Sequence, residues 1–212
     1  MNIANGNQQV LTVSATSAKS CQDHNGQSLM DWGHFGNSGG HPLYGFVLTL
    51  SYSRMCYLEF THSNDIPQLM VSTVNGFGYF GGVPKDVLTD RLNIAMLEQS
   101  GSELRFDKKF LEFAAYCGFL PRVCHGPETK GEIKSTMRIV RQSPLPGIAF
   151  GSLADLNQQA HAWMENLNRQ IHPITREIPC QRLLQERLLP IDALLNCDKS
   201  FTEESSLRDL QG

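Results

Sequence analysis

A chain of 212 residues, 41% hydrophobic and 18% charged, has room for one good-sized domain with an appendage, and its composition is that of a soluble globular protein. The longest apolar run, residues 44–50, is far short of the ~20 residues that span a bilayer, and no basic segment leads into an apolar stretch at the N-terminus. The expectation is a cytoplasmic protein with no membrane partner.

The net charge of −3 excludes a uniformly basic nucleic-acid binder, but the charge is unevenly spread. Eight Lys and Arg fall between positions 105 and 141 against four acids, while five acids and two bases follow position 191. The first stretch is a modest basic patch, which suits either a phosphate backbone or an ordinary solvated face. None of the six cysteines forms a Cys-x-x-Cys pair, so they are expected as reduced, mostly buried thiols.

Residues 1–27 are rich in Asn, Gln, Ser and Thr and read as a disordered lead-in. Residues 28–35 (SLMDWGHF), 43–51 (LYGFVLTLS) and 55–61 (MCYLEFT) read as strands of an antiparallel meander. The turn NSGGHP separates the first two, and Tyr52-Ser53-Arg54 links the second pair. Residues 65–79 carry Ile66, Leu69, Met70, Val74 and Phe77 at helical spacing, with Gly81-Gly82 as the stop. A strand is expected over 83–89, delivering Asp90 at its end.

A second helix follows over 107–117 with Gly118 as its stop, then a short strand over 119–124. A third helix over 129–142 would set Ile133, Met137 and Val140 on its core face, and a fourth covers 153–171. Three meander strands followed by helices alternating with single strands make a mixed α/β pattern.

Metal-dependent phosphodiester chemistry needs carboxylates at the ends of adjacent strands and one more on a nearby helix. Asp31 in the first strand and Asp90 after the fourth meet the strand requirement; the helix near Thr129 would carry the third acid.

The segments MDWGHF, LTLSYSRMCYLEFT, FGYFGGVPKDVLTDRLNIAML, FLEFAAYCGFLPRVC, PETKGEIKSTMRIVR, SLADLNQQAHAWMENLNRQIHPIT and QERLLPI resemble, in order, successive blocks of one family. That family is the bacterial insertion-sequence transposases whose companion gene encodes an AAA+ ATPase helper, part of the integrase-core superfamily. The resemblance runs from about position 28 to about position 191. It implies a ribonuclease-H-like, five-stranded mixed sheet with helices on both faces. It also implies an Asp, Asp, Glu triad using Mg²⁺ or Mn²⁺, DNA and the ATPase helper as partners, and a possible homo-oligomer. In these terms 28–150 is the integrase catalytic core, 151–191 a helical extension and 192–212 an acidic tail.

The triad's two aspartates map to Asp31 and Asp90, as catalytic and metal-binding residues. The family's Glu ends a Lys-Gly-Lys-Val-Glu pattern; here the stretch reads Lys130, Gly131, Glu132, Ile133, Lys134, so a lysine holds the third acid position. Glu132 is a poor substitute, because residues two apart on a helix point about 200° apart. Lys134 instead joins Lys130, Arg138 and Arg141 in a basic stripe that could bind DNA.

Three functional readings follow. The first is an active transposase core. The second is a truncated, degenerate core whose alternative role is that of an inactive DNA-binding or transposase-interacting fragment. The third is an unrelated α/β hydrolase, which lacks any nucleophile elbow. Lys134 favours the second. So does the absence of the helix-turn-helix region and the small β-barrel that the resemblance implies before and after the core. His34, His125 and His172 read as surface or hydrogen-bonding residues, Trp32 and Trp163 as packing residues, and Gly81-Gly82 as a turn without P-loop character.

Overall fold

The computed structural model describes residues 24–90, 96–98, 104–124 and 127–191. Residues 1–23 of the lead-in expected over 1–27, the acidic tail over 192–212 and His125 lie outside these residues, and the lead-in's last residue, Gln27, already belongs to β1. In chain order the elements are β1 (Gln27–Ser38), β2 (His41–Leu50), β3 (Cys56–Thr61), α1 (Ile66–Phe80), β4 (Val83–Pro84), β5 (Asp86–Thr89), β6 (Met96–Glu98) and β7 (Leu104–Phe106). Then come α2 (Lys108–Cys117), β8 (Leu120–Val123), α3 (Pro127–Gln142), α4 (Leu153–Asn168), α5 (Pro179–Arg182) and β9 (Leu188–Leu189).

The main sheet has five strands in the order β3-β2-β1-β5-β8. β1–β2 and β2–β3 pair antiparallel, whereas β1–β5 and β5–β8 pair parallel. The meander closes through Gly39 (φ 58°) and Gly40 (φ 83°), a conformation cheap only for glycine. The expected NSGGHP turn is thus shorter than its sequence suggests, because both strands run on to the glycine pair.

Strand alternation sends side chains to two faces, each with its own core. On one face Met30, Phe46 and Leu48 meet Leu69 and Phe77 of α1 and Phe110 and Phe113 of α2. On the other, Val47, Leu58 and Phe60 meet Met137 and Val140 of α3 and Leu156, Ala160 and Met164 of α4. Fully burying one such side chain contributes about 1.5–3 kcal/mol. Trp32 packs edge-on against Phe46 at 5.6 Å, and Trp163 lies against the second core, so both are packing residues. Cys56, Cys117 and Cys124 are buried, reduced cysteines and Cys180 is half-buried. Burial pushes the Cys56 thiol up to about 12, which keeps it unreactive.

The helix stops follow the sequence signals. Asp65 caps α1 by accepting the Gln68 N–H at 2.9 Å, and Gly81 ends it at φ 76°. Asp107 and Gly118 do the same for α2. Three expectations need correction. The strand over 83–89 is two strands: Val83–Pro84 turns away to pair with Leu188–Leu189, and only Asp86–Thr89 enters the main sheet. Pro84 has no N–H to donate to a ladder, which suits it to the two-residue outer pairing. The fourth helix ends at Asn168, three residues earlier than its apolar pattern suggests, with Ile171 left 66% exposed. A short hairpin, β6–β7, appears where no strand was expected.

α4 lies along the open edge of β3 and completes it. Asn168 accepts the Cys56 N–H at 2.9 Å and donates to the Cys56 carbonyl at 2.8 Å. Asn157 does the same for Phe60, at 2.7 and 2.9 Å, and the Met164 sulfur accepts the Leu58 N–H at 2.9 Å. Side chains of one helix thus take the outward ladder positions that a sixth strand would have filled, which blunts an edge otherwise open to aggregation. Asn168, 1% exposed, also donates to the Tyr79 hydroxyl at 3.0 Å.

Replacing Asn168 by Ala leaves buried polar groups of Cys56 without partners, each worth roughly 1–3 kcal/mol. Asn168→Ala is therefore expected to lose about 3 kcal/mol in urea unfolding, while Gln170→Ala, on the exposed side, changes little. A loss below about 1 kcal/mol for Asn168→Ala would show that α4 does not hold the β3 edge in this way.

Candidate active site

The parallel pairing of β1 with β5 sets Met30 opposite Thr89. Asp31 follows Met30 inside β1 and Asp90 follows Thr89 just past the end of β5, so the two residues are neighbours where the β1–β5 pairing stops. Asp31 also pairs with Val47 of β2, which places its side chain on the sheet face covered by α3 and α4. One Asp31 oxygen accepts the Trp32 N–H at 2.8 Å, which fixes the carboxylate's orientation.

Lys134 reaches the same place from α3. Its ammonium lies 3.7 Å from the Asp90 Oδ2 atom. The lysine side chain is 71% exposed against 18% for Asp90, so water screens the pair and it adds under about 1 kcal/mol of stability. Its importance is positional: a cation sits at the mouth of the carboxylate pair.

The electrostatics of Asp31 register all of this. Burial pushes its carboxyl above the usual range, the Trp32 N–H pulls it back, the Asp90 charge pushes it up again, and Arg141 and Lys134 oppose that rise. Desolvation and a like charge are the two conditions under which a carboxylate pair welcomes a cation.

Two positioning residues were not singled out by the sequence reading in this role. Gly33 lies two residues after Asp31 and therefore on the same face. A Cβ there would stand 2.7 Å from the Arg141 Nη2 atom and 2.8 Å from the Met137 sulfur, so a side chain at this position would have to displace the Arg141 and Met137 side chains of α3. Arg141, expected as a DNA contact, donates to the His34 carbonyl at 3.0 Å and stacks on the Phe35 ring at 4.7 Å. It clasps the end of α3 to β1. The signal for Gly33 was its i+2 spacing from Asp31; nothing in the sequence marks Arg141's partner.

Of the other sequence-level site residues, Lys134 and Arg138 are exposed on α3. The side chains of Lys130 and Glu132 lie outside the described residues. Among the described residues no group of three or more His, Cys, Asp or Glu could hold a metal. Asp31 and Asp90 remain as a two-carboxylate set of hard oxygen ligands, which fits one hydrated Mg²⁺ or Mn²⁺ but not a dedicated cage.

A five-stranded mixed sheet with this strand order and helices on both faces is the fold of the integrase catalytic cores. The HTLV-2 integrase catalytic core domain, solved in complex with magnesium, superposes with a TM-score of 0.54 over 74% of this chain and 95% of that one, at 12% identity. The protein assigned as transposase of insertion sequence element IS5376 from Geobacillus stearothermophilus is 37% identical over 159 residues, 74% of this chain. A transposase of an IS21-like element from Bacteroides fragilis is 26% identical over 155 residues. No family model matches the sequence. The chain is thus a homologue of the insertion-sequence transposases, with the fold of the retroviral integrase core, and it spans 40% and 30% of the length of these two relatives.

The raised Asp31 value has a pH consequence. A carboxyl whose folded value lies above its unfolded one contributes most to stability below the unfolded value, near 3.8, and that contribution is lost as pH rises through the folded value. Ionised Asp31 therefore costs stability at neutral pH. Asp31→Asn, with metals chelated, is expected to unfold at a higher urea concentration than the parent at pH 7, with the gain shrinking as pH falls toward 3.8. An Asn variant less stable than the parent at pH 7 would mean the charge is well compensated.

Proposed function

We propose that this chain is the catalytic core of a DDE-type insertion-sequence transposase in which a lysine has taken the place of the third acid, leaving the strand-transfer centre degenerate. The observation that carries the reading is the Lys134 ammonium 3.7 Å from Asp90. In the parent reaction the Asp31–Asp90 pair would hold a Mg²⁺ or Mn²⁺ ion. Bound there, such an ion activates the attacking oxygen and stabilises the leaving oxygen of a phosphodiester.

The chain's own residues do the rest. The Trp32 N–H aims the Asp31 carboxylate, Gly33 and Arg141 seat α3 over the strand ends, and Lys134 neutralises part of the pair's charge. A carboxylate at position 134 would add a ligand; the ammonium removes that ligand and repels a divalent ion at the same point. Interactions with developing charge in such centres are worth several kcal/mol, which means orders of magnitude in rate. Loss of strand transfer follows.

DNA remains the substrate class this core would meet. Lys134, Arg138 and Arg141, exposed on α3, would supply a basic stripe for a phosphate backbone, to which the sequence adds Lys130, and an AAA+ helper and a second copy of the chain are the partners the resemblance implies. The alternative reading, an inactive DNA-binding or transposase-interacting fragment, rests on the same stripe.

The test is metal-dependent nicking or disintegration of a preformed DNA branch, which asks little of end recognition. The chain as it stands is expected to show no activity above background, with helper or without, and Lys134→Glu to raise the rate at least tenfold. If the unchanged chain performs the reaction and Asp31→Asn abolishes it, Lys134 is not inactivating.

A further inference from the structure

A second cluster of metal-ligating side chains lies away from the carboxylates. His41 is the first residue of β2 and His62 follows directly on β3. The antiparallel register, with Tyr44 opposite Thr61, brings their rings to one end of the sheet. The ring centroids are 5.5 Å apart with the planes inclined at 45°. Asp31 pairs with Val47, six residues along β2 from His41, so the two clusters are separated by about 20 Å of strand.

We propose that His41 and His62 form a surface site for a first-row transition ion of the zinc, copper or nickel type. Three observations carry this. First, an ion about 2.0–2.1 Å from one nitrogen of each ring, at a near-tetrahedral angle, needs ring centres about 5 Å apart; the observed 5.5 Å is within a small side-chain adjustment of that. Second, the His62 Nδ1 atom lies 3.0 Å from the Pro42 carbonyl oxygen. A carbonyl can only accept, so Nδ1 carries the hydrogen and the Nε2 atom of the neutral ring keeps its lone pair. A carbonyl behind a histidine in this manner is the usual support of a metal-ligating imidazole. Third, His41 is exposed and His62 half-buried, so an ion has direct access from water.

Imidazole nitrogens select borderline ions of this kind over Mg²⁺, which the carboxylate pair would prefer. With no third His, Cys, Asp or Glu in the group among the described residues, the site has two protein ligands and leaves its other positions to water. Occupied, it would tie the start of β2 to the end of β3, next to the Gly39-Gly40 turn.

The experiment is titration of the tag-free full-length chain with Zn²⁺ by calorimetry, paired with electron paramagnetic resonance of the Cu²⁺-loaded protein. The expected result is a Zn²⁺ site that survives Asp90→Asn and loses at least tenfold in affinity in both His41→Ala and His62→Ala. The Cu²⁺ spectrum should show coupling to two imidazole nitrogens in the parent and to one in each single variant. His41 is exposed, and a circular dichroism melt of each variant establishes that it folds. Zn²⁺ binding that is absent in the parent, indifferent to either histidine, dependent on only one of them, or lost with Asp90→Asn would overturn the proposal.

Discussion

The constraint on which the site depends is the parallel pairing of β1 with β5. It places Asp31, inside β1, beside Asp90, just past β5, where Asp31 is partly desolvated by the sheet and helices around it. Two like charges in that setting favour a counter-charge, and among the described residues α3 brings Lys134 and Arg141 toward the pair. In a working centre that counter-charge would be a divalent ion held by a third acid; in this chain an ammonium reaches the Asp90 carboxylate at 3.7 Å. The carboxylate pair is thus met by a solvent-screened ammonium from α3.

The approach of α3 is itself set by two small features. Gly33 removes a side chain from the crossing point, and Arg141 ties the helix end to the His34 carbonyl. On the far side of the same face, α4 closes the β3 edge with two asparagines and a methionine sulfur. Residues 182–189 complete the frame: Glu186 accepts the Gly26 and Ser53 N–H groups at 3.0 and 2.9 Å, and Leu188–Leu189 pairs with Val83–Pro84. The start of β1, the β2–β3 turn and the segment after α1 are thereby held by one short stretch of chain. The β1–β5 ladder from Gln27 to Met30 sets Asp31 and Asp90 in register.

The meander, the four main helices and both helix stops at Gly81 and Gly118 were readable because apolar periodicity and glycine punctuation are local signals. Asp31 and Asp90 were identified through their place in ordered sequence blocks, and the parallel register then brought them together. What could not be read was pairing between distant residues. Nothing near Val83 announces Leu189 as its partner, so one strand was expected where two form. Nothing in α4 marks Asn157 and Asn168 as edge-fillers, because asparagine on a helix ordinarily signals exposure. Arg141's spacing from Lys134 and Arg138 is visible in the sequence, whereas its carbonyl and ring partners, 107 residues away for His34, are not.

The central claim is that Lys134 occupies ground a divalent ion would need. Calorimetric titration with Mg²⁺ of the parent chain and of Lys134→Glu tests it most directly, because it asks about the site and not about DNA. The account predicts at most one weak Mg²⁺ site in the parent, abolished by Asp31→Asn, and at least tenfold tighter binding in Lys134→Glu. Two tight Mg²⁺ sites in the parent, or a Lys134→Glu protein that binds Mg²⁺ no better than the parent, would contradict it.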